Sequence, residues 1–176
     1  MPVIRYVKGD SARGEPSLIE KERFMRAAIA LAYEGMNGGF GGPFGAVVVK
    51  DGAIVGRGHN RVLRDNDPTA HAEIVAIRDA GRRMANWDLS GCDIYVNGVP
   101  CPLCMTGIYW ARIDKLYYAC LPEDAEAIGF DDREFYRQLA KPLDARALPA
   151  ERLMGVYEEA RACYNAWLTR DDRTPY

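Results

Sequence analysis

Two short segments, about thirty residues apart, restrict this chain more than anything else in it: "AHAE" at residues 70–73 and "PCPLC" at residues 100–104. Each opens a stretch whose apolar positions read as a helix. Cys101 and Cys104 stand at i and i+3, so they share one face of a first helical turn, about 5–6 Å apart. The unpaired N–H groups and the positive end of the dipole at such a terminus favour thiolate over thiol. His71 heads the other helix. If one imidazole and two sulfurs are to grip a single ion, both helix N-termini must meet at one edge of a sheet. Three protein ligands leave the fourth tetrahedral corner to water, which marks a catalytic zinc site. Glu73, two residues after His71, reaches the same cavity from another side of the helix. There it can accept a proton from water on the metal.

Each half of the pattern has a plainer reading. A CxxC alone serves redox chemistry or nothing, and an isolated HxE means little. A structural zinc site closes its shell with a fourth Cys or His, and the only other histidine is His59, at the end of an expected strand. A thioredoxin-like role has no use for the companion HAE. Taken together, HAE followed by PCxxC points to a catalytic metal.

The rest of the chain reads as one α/β layered domain, residues 17–176, behind a polar N-terminal arm, 1–16. From Ser17 the positions Ile19, Phe24, Ala27, Ala28, Leu31 and Ala32 recur near a helical period, up to the Gly-rich "EGMNGGFGG". "GAVVVK" and "AIVGRGHN" flank Asp51-Gly52, a two-residue hairpin signal. "NRVLRDNDPTA" reads as a polar loop, and a helix follows from about Ala70 to Met84. "CDIYVN" is a strand, residues 101–111 a helix, "KLYYAC" a strand, and a last helix lies near "RLMGVYEEARACYNAWL" before a polar tail. Helices alternating with strands imply a sheet with helices on its faces.

A net charge of −2 gives no broad attraction for phosphate backbones, so nucleic acid is an unlikely main ligand. No apolar run approaches the ~20 residues a membrane span needs, and the N-terminus does not look like a secretory signal. Five cysteines, an odd number in a chain of this size, read as reduced and cytoplasmic. Cys92, Cys120 and Cys163 read as small buried hydrophobes.

The combination H-x-E then P-C-x-x-C resembles the cytidine deaminase superfamily of zinc-dependent nucleobase deaminases. Within it the chain is most similar to the bacterial guanine deaminases, through "GGPFGAVVVKDG", "NDPTAHAE", "PCPLC", "GIYWAR" and "GFDD" in that order. The likeness covers roughly residues 20–140, and the C-terminal helix and tail more loosely. It implies a three-layer α/β/α fold with a central mixed sheet of about five strands. It also implies one Zn2+ per chain on His71, Cys101 and Cys104, with Glu73 as proton shuttle. By the same likeness Asn60 hydrogen-bonds the base edge, the backbone of Ala72 contributes, and Phe44 and Trp110 wall a flat purine. Asp132 of "GFDD" approaches the departing amine, with Asp131 the expected helix cap, and Tyr176 closes the pocket. Core packing accounts for Phe44 and Trp110 equally well, and two acids opening "REFYRQL" account for Asp131 and Asp132.

One position departs from the family: many relatives carry Glu just before Pro-Cys, and this chain has Val99. The implied activity is hydrolytic deamination of a free purine base, guanine to xanthine and ammonia, by a homodimer that can exchange C-terminal segments. Guanosine, cytosine or cytidine, an aminotriazine or tRNA adenosine remain as alternative substrates, and a non-catalytic zinc-stabilised binding module as an alternative class. The acidic "EDAEAIGFDDRE" argues for a small molecule over tRNA.

Overall fold

A computed structural model describes residues 14–175. Tyr176 and most of the arm expected over 1–16 lie outside the described residues. The chain divides into two compact units, Met1–Asp132 and Arg133–Tyr176.

The first unit opens with helix α1, Leu18–Asn37. Ser17 caps it through a reciprocal box: the Ser17 hydroxyl accepts from the Glu20 N–H at 3.3 Å, and the Glu20 carboxylate accepts from the Ser17 N–H at 3.0 Å. Just ahead of the cap, Glu15 pairs with Lys21 at 2.7 Å and with Lys115. Phe24, Ala28, Ala32 and Gly35 form the buried stripe of α1, whereas Ile19, an expected core position, is exposed.

Strands β1 (Gly45–Lys50) and β2 (Ala53–His59) form the hairpin. Asp51 and Gly52 both take positive φ, 49° and 75°, as the twist of a two-residue hairpin demands. The expected loop after β2 holds a short helix, α2 (Val62–Asp65), which an Arg61–Asp65 ion pair at 2.7 Å supports. Helix α3 (Ala72–Met84), strand β3 (Asp93–Gly98), helix α4 (Pro102–Trp110) and strand β4 (Lys115–Cys120) follow.

The sheet order is β2-β1-β3-β4, with β3 antiparallel to β1 and parallel to β4. Alternation along the strands sorts the two faces. Val47, Val49 and Tyr95 pack with Phe24 and Ala28 of α1. Ala46, Val48, Ile94 and Val96 pack with Ala72, Ala76 and Ala80 of α3 and Ile108 of α4. This is the expected α/β/α sandwich.

The sheet has four strands among the described residues, not about five. After β4 the chain turns into helices α5 (Pro122–Ala127) and α6 (Arg133–Leu139). Pro122 at the first helical position and the acids after it favour a helix start, and nothing there alternates as a half-buried strand would.

The second unit contains α6, 3-10 turns at Leu143–Ala145 and Met154–Val156, and helix α7 (Tyr157–Leu168). The last helix was expected from about residue 152. It starts at Tyr157, and the residues just before it, with Gly155 among them, form the 3-10 turn. No helix of the described residues is long and apolar enough to cross a membrane.

Candidate active site

Two helix starts deliver the chemistry. His71 occupies the N-cap of α3 with extended backbone, φ −68° and ψ 156°, and its side chain caps nothing. Cys101 occupies the N-cap of α4 in the same way, φ −65° and ψ 170°, followed by Pro102, whose fixed φ suits a first turn. Neither side chain is spent on its own helix, so both project outward. Gly58 of β2 lets α3 lie directly on the sheet: a Cβ there would fall 2.2 Å from the carbonyl oxygen of Ala72.

The ligand atoms of His71, Cys101 and Cys104 lie within 4.8 Å of one another. His71 Nδ1 stands 3.5 Å from Cys101 Sγ and 3.5 Å from Cys104 Sγ. Tetrahedral zinc, with bonds of about 2.3 Å to sulfur and about 2.0 Å to nitrogen, spaces such atoms about 3.5 Å apart. The donor set and its spacing therefore fit that ion. His59 is no part of this group. Its ring is buried and stacks on Phe40 at 5.5 Å, and its Nδ1 donates to the Asn60 carbonyl at 3.0 Å.

Charge is distributed unevenly over the cluster. Hydrogen bonds from Cys104 and then His71 pull the Cys101 thiol down to about 4. The same bond, seen from the other side, joins with burial to push the Cys104 thiol up. The bond to Cys101 raises His71. Glu73, buried in the first turn of α3, has its carboxyl raised chiefly by loss of solvent. Asp132 is raised by burial and then by the charge at Cys101.

Of the other expected residues, Asn60 is buried and anchored. Its N–H donates to the Phe44 carbonyl at 2.9 Å, and its Oδ1 accepts from the Val62 N–H at 3.1 Å. Its Nδ2 has no acceptor among the described residues. Ala72 is the first residue of α3, where a helix leaves its N–H without an intrahelical acceptor. Phe44 packs edge to face on Phe130 of "GFDD", 5.0 Å between centroids at 90°.

Helix α6 begins at Arg133, so the residue just ahead of it is Asp132, and Asp131, the expected cap, stands one place further back. Trp110 stands at the opposite end of α4 from Cys101. It ends α4, 52% exposed, over a surface dent shared with Thr106, Tyr109 and Arg112. It lies nine positions after Cys101, about 13 Å along the axis.

Asn97 is the residue that pattern reading passed over. Its Oδ1 accepts from the Gly45 N–H at 2.8 Å and its Nδ2 donates to the Pro43 carbonyl at 2.9 Å. The available signal was an Asn inside an otherwise apolar strand, where β propensity disfavours it.

This fold and this site define a zinc-dependent deaminase. Residues 18–120 match the model of the cytidine and deoxycytidylate deaminase zinc-binding region, and the chain belongs to that family. Its cofactor is zinc, one ion to a chain. The guanine deaminase of Bacillus subtilis (strain 168) is 43% identical over 155 residues, 88% of this chain and 98% of that protein. The X-ray structure of the B. subtilis enzyme matches with a TM-score of 0.84, at 42% identity over 88% of this chain and 98% of that one. A tRNA-specific adenosine deaminase of Aquifex aeolicus (strain VF5) is 40% identical over 101 residues, 57% of this chain and 66% of that protein. A solved structure in complex with 2,6-diaminopurine is 30% identical with a TM-score of 0.62, over 72% of this chain and 74% of that one.

Proposed function

We propose that the chain hydrolyses the exocyclic amine of free guanine, giving xanthine and ammonia. The observation that carries this reading is the reach of the likeness. It runs through 98% of the B. subtilis guanine deaminase, whereas the Aquifex tRNA enzyme is matched over 101 residues only. A small amino-purine in a related structure supports a free base as substrate.

His71, Cys101 and Cys104 would hold the zinc, which when bound acts as a Lewis acid that makes its water acidic enough to attack near neutral pH. Glu73 holds and moves the proton. Its raised carboxyl can take a proton from water and pass it to the ring nitrogen beside the attacked carbon. Asp132 faces the thiolate side and is raised in turn, so it can carry a proton to the leaving amine. Asn60 offers its uncommitted Nδ2–H to an acceptor on the base edge, the Ala72 N–H can donate to the base, and Phe44 excludes water along one face. Trp110 keeps the walling role beside Phe44 that the resemblance gives it, and Tyr176 keeps the role of closing residue proposed for the chain's last position.

We further propose that residues 17–176 serve one catalytic domain and that the protein is a cytoplasmic homodimer. The exposed apolar residues Leu103, Tyr109 and Trp110 of α4 and Tyr118 of β4, beside the outer edge of that last strand, support an association between copies. Five free thiols suit a reducing compartment; Cys92 is buried as expected, whereas Cys120 and Cys163 are exposed.

A panel of guanine, guanosine, cytosine, cytidine and adenine, followed by ammonia release from the zinc-loaded protein, tests the substrate. Guanine is expected to react fastest. Release from another base with guanine inert would overturn the proposal.

A further inference from the structure

We infer that Asn97 is a positioning residue. Its side-chain amide clamps the backbone on both sides of Phe44, and so sets that ring between Asn60 and the segment that carries Asp132. The inference rests on the reading of Phe44 and Asn60 as parts of the base pocket.

The β1–β3 ladder ends at the pair Ala46 and Val96. One step further, where Gly45 and Asn97 would face each other, the Asn97 side chain takes over from the backbone. Its planar amide accepts from the Gly45 N–H at 2.8 Å and donates to the Pro43 carbonyl at 2.9 Å. Between those two anchors the Phe44 N–H donates to the Gly42 carbonyl at 2.8 Å, and the Phe44 carbonyl accepts from the Asn60 N–H at 2.9 Å. Every backbone polar group from the Pro43 carbonyl to the Gly45 N–H is thereby engaged, which leaves this turn few alternatives.

Gly45 cannot retreat, because a Cβ there would lie 2.1 Å from the Ala28 carbonyl oxygen of α1. The ring packs edge to face against Phe130. Gly98 completes the arrangement from the neighbouring position: a Cβ there would come within 3.9 Å of Phe44 Cε1, in ordinary contact with the ring. Asn97 holds the backbone of Phe44, and Gly98 lies beside its ring.

Only an amide fits both partners. A carboxylate at 97 still accepts from Gly45 but turns an oxygen on the Pro43 carbonyl. A hydroxyl is too short to span two peptide units. A methyl leaves a part-buried donor and a part-buried acceptor unsatisfied. The link also couples two parts of the site. Phe44 touches Asn60 through the backbone and Phe130 through its ring, and Phe130 lies two residues before Asp132.

A residue that merely ends a ladder would change stability alone, so the test is a double-mutant cycle on kinetics. Asn97→Ala, Phe44→Ala and the double variant are compared as zinc-loaded proteins, with zinc per chain and melting temperature recorded. Each single change should lower kcat/KM by about 10- to 100-fold, the order that a small misplacement costs, mostly through KM for Asn97→Ala. The double variant should fall no more than about threefold below the worse single, because both act through one ring. Asn97→Asp, which keeps the bond from Gly45 but sets an oxygen against the Pro43 carbonyl, should fall at least as far as Asn97→Ala. It replaces Asn97→Ala in the cycle if that variant fails to fold or to hold zinc.

Losses that multiply in the double variant, or an Asn97→Ala enzyme within about twofold of wild type, would overturn the clamp. The cycle is run on whichever base of the panel the wild-type protein deaminates. Inertness toward guanine alone therefore counts against the guanine proposal and not against Asn97, whereas inertness toward every base overturns both.

Discussion

Glu73 carries two opposed costs in one side chain. Burial makes its charged form expensive, so the folded protein binds that proton more tightly than the unfolded chain does. Its contribution to stability is then complete below the ordinary carboxyl value of 4.5 and is lost as pH rises through the raised folded value. Glu73→Gln removes the titration. In zinc-stripped protein the Gln variant should be more stable to denaturant than wild type near pH 8, with the gap closing toward pH ~4.5. With zinc restored, the same variant should retain the metal yet lose about 10²–10⁴-fold in kcat, the share owed to acid–base catalysis. Equal stability at every pH, together with near-normal turnover, would remove Glu73 from its assigned role. The residues at this scale were readable because their types and spacing carry the chemistry directly. Asn97 was not, since an amide in a strand signals only a departure from β propensity until its two backbone partners, more than fifty residues earlier, are in place.

Helix α3 places two functional groups through its start, and its seat on the sheet depends on missing side chains. Gly58→Ala would set a methyl 2.2 Å from the Ala72 carbonyl and 2.5 Å from the Ala76 N–H, both backbone atoms that can move only with the helix. A cost of about 1–3 kcal/mol in stability is expected from such overpacking. A fall in kcat/KM should accompany it, because His71 and Glu73 ride on the displaced turn. Unfolding curves and kinetics on one preparation check both, and a stable variant of unchanged activity would contradict the seating. Period and caps made α1, α3, α4 and the hairpin legible. The number of strands was not legible in the same way, because "about five" came from likeness. This chain follows β4 with Pro122 and acids that start a helix.

Across the molecule, zinc links folding to chemistry. The bond to Cys101 and burial hold the Cys104 thiol up, and the bond to Cys101 raises His71, whereas a metal takes these groups as thiolate and neutral imidazole. Zinc uptake by stripped protein should release protons, so affinity should climb as pH rises from about 6 to 8. Calorimetry in buffers of different ionisation enthalpy measures that release, and chelation should lower the melting temperature. Uptake without proton release would mean that the sulfurs are not the ligands. The sequence by itself determined the ligand types, the carboxylate beside them and the alternation that builds a layered sheet, because these follow from side-chain chemistry and from periods of two and 3.6 residues. Only the tertiary structure decided that Asn97 holds Phe44 and that Phe44 packs on Phe130. Both are distances between segments remote in the chain, and such distances are set by how helices seat on a sheet, which no local pattern encodes.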